Sequence, residues 1–143
     1  MKHFMKLNTL IIAVAAITFA LASCNKDEME PPIISFKTGA GYTSDDITIA
    51  AGSSVLIGIE ASKAEAEGEE EDVLSHFNIS LSVNGGASTS VYDADMTAAQ
   101  EEEYSYDYNA AASTTVGEVD TYTFTITNRD GLTGQVSLTV TSN

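Results

Sequence analysis

Four sets of residues in this chain are equipped for chemistry. The first is a single thiol, Cys24, the only cysteine in the sequence. An odd thiol in an exported chain has no disulfide partner and needs another use. The second set is carboxylate-rich: Glu69, Glu70 and Glu71 in the run 62–72, and Asp93 and Asp95 in the run 93–103. Calcium takes about six to eight oxygens, several of them from carboxylates, so the two runs together could offer it a weak site. Their spacing does not place a glycine and a terminal glutamate as an EF-hand loop requires, and a solvated charge run is the competing reading. The third set is Tyr92, Tyr104, Tyr106 and Tyr108. These rings could stack on sugars, or they could be the core side of two strands, which is the reading favoured by their period of two. Zero tryptophan further weakens a glycan platform. The fourth is His76, one of two histidines and the only one after Cys24, and no nucleophile–base pair is visible around it. No pair of carboxylates is set apart by burial for acid–base work, so catalysis is not expected.

These residues sit in a chain of three unequal parts. Residues 1–23 open with Lys2 and Lys6, continue through an apolar stretch broken only by Asn8, Thr9 and Thr18, and close on Leu21-Ala22-Ser23 before Cys24. This is the layout of a cleaved signal peptide rather than a spanning helix. Residues 24–32 are a short acidic tether ending in Pro31-Pro32, which favours extended backbone. Residues 33–143 have the size of one domain, and a mature chain of this length can bury roughly two thirds of its unfolded surface.

The Leu-Ala-Ser-Cys run resembles the lipobox of bacterial lipoproteins. That resemblance implies diacylation of the Cys24 sulfur, cleavage before it, and acylation of the new amine. Each acyl chain adds roughly 0.8 kcal/mol per buried CH₂, so several chains on one cysteine would hold the protein at a membrane nearly permanently. The acidic residues just after Cys24 are similar to the export signal of Bacteroidetes lipoproteins, which implies the outer leaflet of the outer membrane and exposure at the cell surface. A soluble secreted protein with a stray thiol is the alternative.

Charge narrows the partners. The chain carries 21 acidic and six basic residues, and two of the basic ones, Lys2 and Lys6, lie in the leader. A field of this sign repels nucleic acid, favours cations or basic partners, and keeps a crowded surface protein from associating with itself. Nucleic-acid binding is excluded.

Beyond Pro32 the hydrophobic period is two rather than 3.6. Phe77, Ile79, Leu81 and Val83 alternate with polar residues, as do Tyr122, Phe124 and Ile126, and Leu132, Val136, Leu138 and Val140. Threonine fills the wet side of the last two runs, where its β-branch suits a pleated surface. Shorter strands are expected around Ile34 and Phe36, Ile47 and Ile49, Val55 to Ala61, residues 88–92 and residues 103–109. Asn84-Gly85-Gly86 signals a hairpin. The two acidic runs break the pattern and read as loops. Seven or eight short strands without a long amphipathic helix predict an all-β fold, a β-sandwich.

The stretch 117–131 followed by a Thr-rich last strand resembles the final two strands of bacterial immunoglobulin-like surface modules. The resemblance implies an immunoglobulin-like β-sandwich with Tyr122 near the start of strand F as a tyrosine corner, although the tryptophan and disulfide of antibody domains are missing. In that order residues 62–72 form the B to C loop, 93–103 the D to E loop and 128–131 the F to G turn, all at the pole where the tether enters. The expected function is a lipid-anchored, non-catalytic interaction or structural module with an unknown protein or glycan partner. The alternatives are a glycan-binding accessory of a nutrient-uptake system and a cation-dependent adhesion module.

Overall fold

The computed structural model describes residues 30–64 and 72–143. Among the described residues eight strands form two sheets. Strands β1 (Ile33–Phe36), β3 (Ser54–Ser62) and β6 (Glu103–Ala111) make a three-stranded sheet in the order β1-β3-β6. Strands β2 (Ile47–Ile49), β8 (Thr133–Ser142), β7 (Val119–Asn128), β4 (Leu74–Val83) and β5 (Thr89–Asp95) make a five-stranded sheet in that order. Every pairing between these strands is antiparallel except β2 on β8, and an isolated bridge from Tyr42 to Leu56 of β3 is also parallel. The fold is the expected all-β sandwich.

Period-two sequence becomes a two-sided strand most clearly in β7. Asp120, Tyr122, Phe124, Ile126 and Asn128 are buried, while Thr121, Thr123, Thr125 and Thr127 between them are half-exposed. Phe124 and Ile126 meet Ile57 and Ile59 of β3, Phe77 and Ile79 of β4, and Leu138 and Val140 of β8 in one core cluster. Emptying a fully buried aromatic position of this kind costs about 3–5 kcal/mol, so the alternation of β7 is a main determinant of the fold.

Two features of the pairing depart from the sequence expectation. The strand after the hairpin, β5, pairs with β4 and belongs to the five-stranded sheet, so it is not a strand D lying beside β6. The turn dictates this. Asn84 and Gly85 both take positive φ, at 50° and 70°, and the Gly86 amide donates to the Val83 carbonyl at 2.9 Å, the pattern of a tight I′ hairpin that leaves β5 nowhere to go but alongside β4. The strand also runs to Asp95, further than residue 92. Asp93 and Asp95 are therefore strand residues opposite Asn78 and His76, not members of a loop. Their charge hid an alternation in which Tyr92, Ala94 and Met96 face inward.

The sandwich is irregular where it must bend. A register shift between Leu74 and His76 lets Leu74 and Phe77 both point into the core, with the Ser75 hydroxyl donating to the Thr127 carbonyl. A second shift leaves Val91 as an extra residue in β5, and the two N–H bonds of Asn78 Nδ2 are shared among Ser90 Oγ, the Tyr92 carbonyl and Asp93 Oδ2 around it. Gly134 occupies an inward slot of β8 because the Pro32 carbonyl, at the entry to β1, lies where a Cβ would stand.

The connections expected to share a pole do meet in the described residues. The Lys63 amide donates to the Glu102 carbonyl, the Leu74 amide to the Glu101 carbonyl and the Arg129 amide to the Val73 carbonyl. Ion pairs Lys63–Glu102 and Arg129–Glu101, each 3.1 Å, join the same segments. Asn128 Nδ2 reaches the Glu30 carbonyl at 3.5 Å, so the chain enters the domain at this pole.

Candidate functional site

Of the residues equipped for chemistry, Cys24, Glu69, Glu70 and Glu71 lie outside the described part of the chain. His76, Asp93, Asp95 and the four tyrosines lie within it.

Asp93 and Asp95 stand one pleat apart on the outer face of β5, and His76 of β4 lies between them. His76 Nδ1 is 3.0 Å from Asp95 Oδ1, and Nε2 is 3.1 Å from Asp93 Oδ2. Asn78 also donates to Asp93. The two carboxylates hold the imidazole from opposite edges, and the hydrogen bond to Asp95, helped by that to Asp93, raises the His76 pKa above its ordinary value. Because they address different ring nitrogens, Asp93 and Asp95 do not converge on one point. Among the described residues no group of three or more His, Cys, Asp or Glu side chains is placed to hold a metal ion. The arrangement ties the edge strand β5 to its neighbour β4.

The four tyrosines face inward. Tyr104 is 7% exposed, and Tyr92, Tyr106 and Tyr108 are half-buried against the core cluster. Phe77 is the hub, with ring centroids 5.1 Å from Tyr104, 5.6 Å from Tyr106 and 6.0 Å from Tyr92. Tyr92 and Tyr106 approach to 4.6 Å and join the edge strand β5 of one sheet to the edge strand β6 of the other. Tyr108 packs on Tyr122 and Phe124. Burial pushes the Tyr104 and Tyr108 phenols up, and these rings are packing elements rather than a stacking platform.

The outer face of the three-stranded sheet carries features that the sequence did not announce. Lys37 Nζ pairs with Asp107 Oδ1, at 2.6 Å, and the Tyr42 hydroxyl donates to Asp107 Oδ2 at 3.0 Å. Lys37 also lies over the Tyr42 ring. Both side chains occupy the space above Gly58, where any Cβ would meet them, which explains how Ile57, Gly58 and Ile59 are all buried in succession. The ion pair holds the Asp107 carboxyl below the usual range. Nearer the loop-bearing pole the same face holds a groove of about 360 Å³ lined by Ile33, Ser35, Glu60, Ser62, Glu103 and Ser105. Cross-strand register explains the lining: Ser35 faces Glu60, Glu60 faces Ser105, and Ser62 faces Glu103. Only knowledge of the pairing brings these residues together.

Compared with known proteins, the sequence matches no family model, and no curated protein matches it.

Proposed function

We propose that this chain is a lipid-anchored, non-catalytic interaction module: a Bacteroidetes-type lipoprotein of the outer membrane surface that presents one immunoglobulin-like sandwich. The anchor would be Cys24, and the acidic tether would join it to the pole at which Glu30 meets Asn128. The observation that carries the reading is the fate of the tyrosines. Stacking on glycan needs open ring faces, whereas Tyr92, Tyr104, Tyr106 and Tyr108 turn theirs toward Phe77, Tyr122 and Phe124. Recognition in this reading falls to the outer sheet faces and edges, and the partner is another protein. With the loop-bearing pole turned to the membrane, those faces stand clear of the lipid.

The test is cross-linking on intact bacteria that express the full chain, combined with protease added outside the cells. A surface interaction module gives discrete protein cross-links through the sandwich and is degraded by the external protease. Full protection in cells with intact outer membranes, or cross-links to lipid alone, would contradict the reading.

A further inference from the structure

The sandwich has four sheet edges, and three of them are blunted. Strand β1 has four residues and follows two prolines, and β2 has three residues. Strand β5 carries the Val91 bulge, which breaks its register. These are the usual devices against unwanted strand addition. Strand β6 differs. It has nine residues and pairs with β3 from Ser54↔Ala111 to Ser62↔Glu103 without a register shift.

Parity fixes which of its backbone groups are used. The Lys63 amide donates to Glu102 and the Ala112 amide to Ser53, so the even-numbered residues of β6 bond to β3. The odd-numbered Glu103, Ser105, Asp107 and Asn109 therefore turn their N–H and C=O groups away from the sheet. No backbone partner meets those groups among the described residues. In constant-type immunoglobulin sandwiches a fourth strand, D, lies in this position. Here the hairpin at Asn84-Gly85 has carried the corresponding strand into the other sheet.

The surroundings of the edge indicate what would fit. On the inner side Tyr106 and Tyr108 are only half-buried, so an added strand would cover them with apolar residues. On the outer side Glu103 is exposed and Glu60 lies one strand further in, both lining the groove. Neighbouring strands are about 4.8 Å apart, so a long basic side chain on an added strand could reach across Ser105 toward Glu60. A second copy of this chain fits poorly, because antiparallel self-pairing about Asp107 sets Asp107 against Asp107 in a strongly acidic molecule.

We propose that the free edge of β6 docks an extended segment of another protein, alternating basic and apolar residues, which adds as a fourth strand to the β1-β3-β6 sheet. The proposal rests on the interaction-module reading and names its surface and the chemistry of its partner.

The probe is a fluorescent nonapeptide of alternating Lys and Val, titrated with the full chain in detergent, beside a Glu–Val peptide of equal length. The Lys–Val peptide binds with salt-dependent affinity and the Glu–Val peptide does not. Ser105→Pro removes an outward N–H without touching the β3 ladder, and it weakens binding about tenfold or more while the melting temperature stays near that of the parent. Glu60→Gln with Glu103→Gln weakens binding and flattens its salt dependence. In the saturated complex the Ser105 and Asn109 amides become protected from hydrogen exchange. This last readout decides the matter if Ser105→Pro does not fold. Undiminished binding by a folded Ser105→Pro, equal binding of both peptides, or unprotected Ser105 and Asn109 amides would overturn the proposal. Self-association abolished by Ser105→Pro would assign the edge to a second copy and overturn it too. Failure here leaves the surface cross-links of the preceding test intact, so the two readings fall separately.

Discussion

The Tyr122 hydroxyl donates to the Ala111 carbonyl at 3.1 Å and ties the start of β7 to the end of β6 across the corner between the sheets. The bond spans 11 residues, further than the few-residue reach of the tyrosine corner that the resemblance implies. The ring is 3% exposed and packs on Tyr108, and burial pushes its phenol up to about 12, so it remains a donor through the whole ordinary pH range. Tyr122→Phe keeps the packing and removes the bond. It should lower unfolding free energy in urea by about 1 kcal/mol. An unchanged midpoint would mean that the bond contributes nothing and that the corner is held by packing alone.

The alternation of β7 has a sharper test. Phe124→Asp places a carboxylate without a partner at a fully buried site and should cost on the order of 4 kcal/mol, enough to unfold much of the population. Thr125→Asp, one residue on, faces outward beside Gln135 and should cost under about 1 kcal/mol. Circular dichroism melts of the two variants distinguish them, and equal effects would refute the assignment of faces.

Closure of the sandwich by β1 depends on an absent side chain. Gly134→Val would drive Cβ into the Pro32 carbonyl, so β1 must shift outward, at a cost of about 3 kcal/mol. Gly131→Asn is the control. It meets nothing within 4 Å, and the backbone strain at its φ of 85°, smallest for asparagine among side-chain-bearing residues, should cost about 1 kcal/mol. Similar losses from both would show that β1 does not rest on β8.

Stability should rise as pH falls from 8 toward 6, the reverse of the common pattern. The folded-state pKa of His76 is raised by Asp95 and Asp93, so its contribution is complete below about 6.5 and is lost as pH climbs through the folded value. Asp120 acts with the same sign, in the range between the ordinary carboxylate value and its raised folded value. It is 4% exposed, its Oδ1 has no partner, and burial together with Glu118 raises its pKa against the Ser113 amide. A carboxyl with a raised folded pKa destabilises the fold when ionised, and the loss is recovered as pH falls through that value. Asp120→Asn should therefore raise the melting temperature at pH 7, by an amount that shrinks on acidification, and His76→Gln should flatten the slope above pH 6. Melting temperatures that climb from pH 6 to pH 8 would contradict the His76 assignment, and an Asp120→Asn variant that melts below the parent at pH 7 would contradict that of Asp120.

The sequence was most readable where one face of a strand is wet. Thr121 to Thr127 against Tyr122 to Ile126 made β7 plain, and Tyr104 to Tyr108 marked the inner face of β6. Legibility failed where charge or distance intervened. Asp93 and Asp95 looked like loop residues because acidic side chains are poor strand formers, yet their cross-strand contacts with His76 and Asn78 hold them in β5. The Lys37–Tyr42–Asp107 cover over Gly58 joins positions 65 to 70 residues apart and leaves no periodic trace. The free edge of β6 could not be read at all, since it depends on which sheet receives β5.

The anchor is the claim on which the functional account turns, and one measurement reaches it directly. The full chain is expressed in a bacterial host, extracted from the membrane fraction, and its intact mass and N-terminal peptide are recorded. The account predicts a chain that begins at Cys24 and carries acyl groups there, with Cys24→Ser giving an unacylated chain that is retained as precursor or released. A chain recovered with an unmodified Cys24, or a Cys24→Ser variant held in the membrane as a processed chain like the parent, would contradict it.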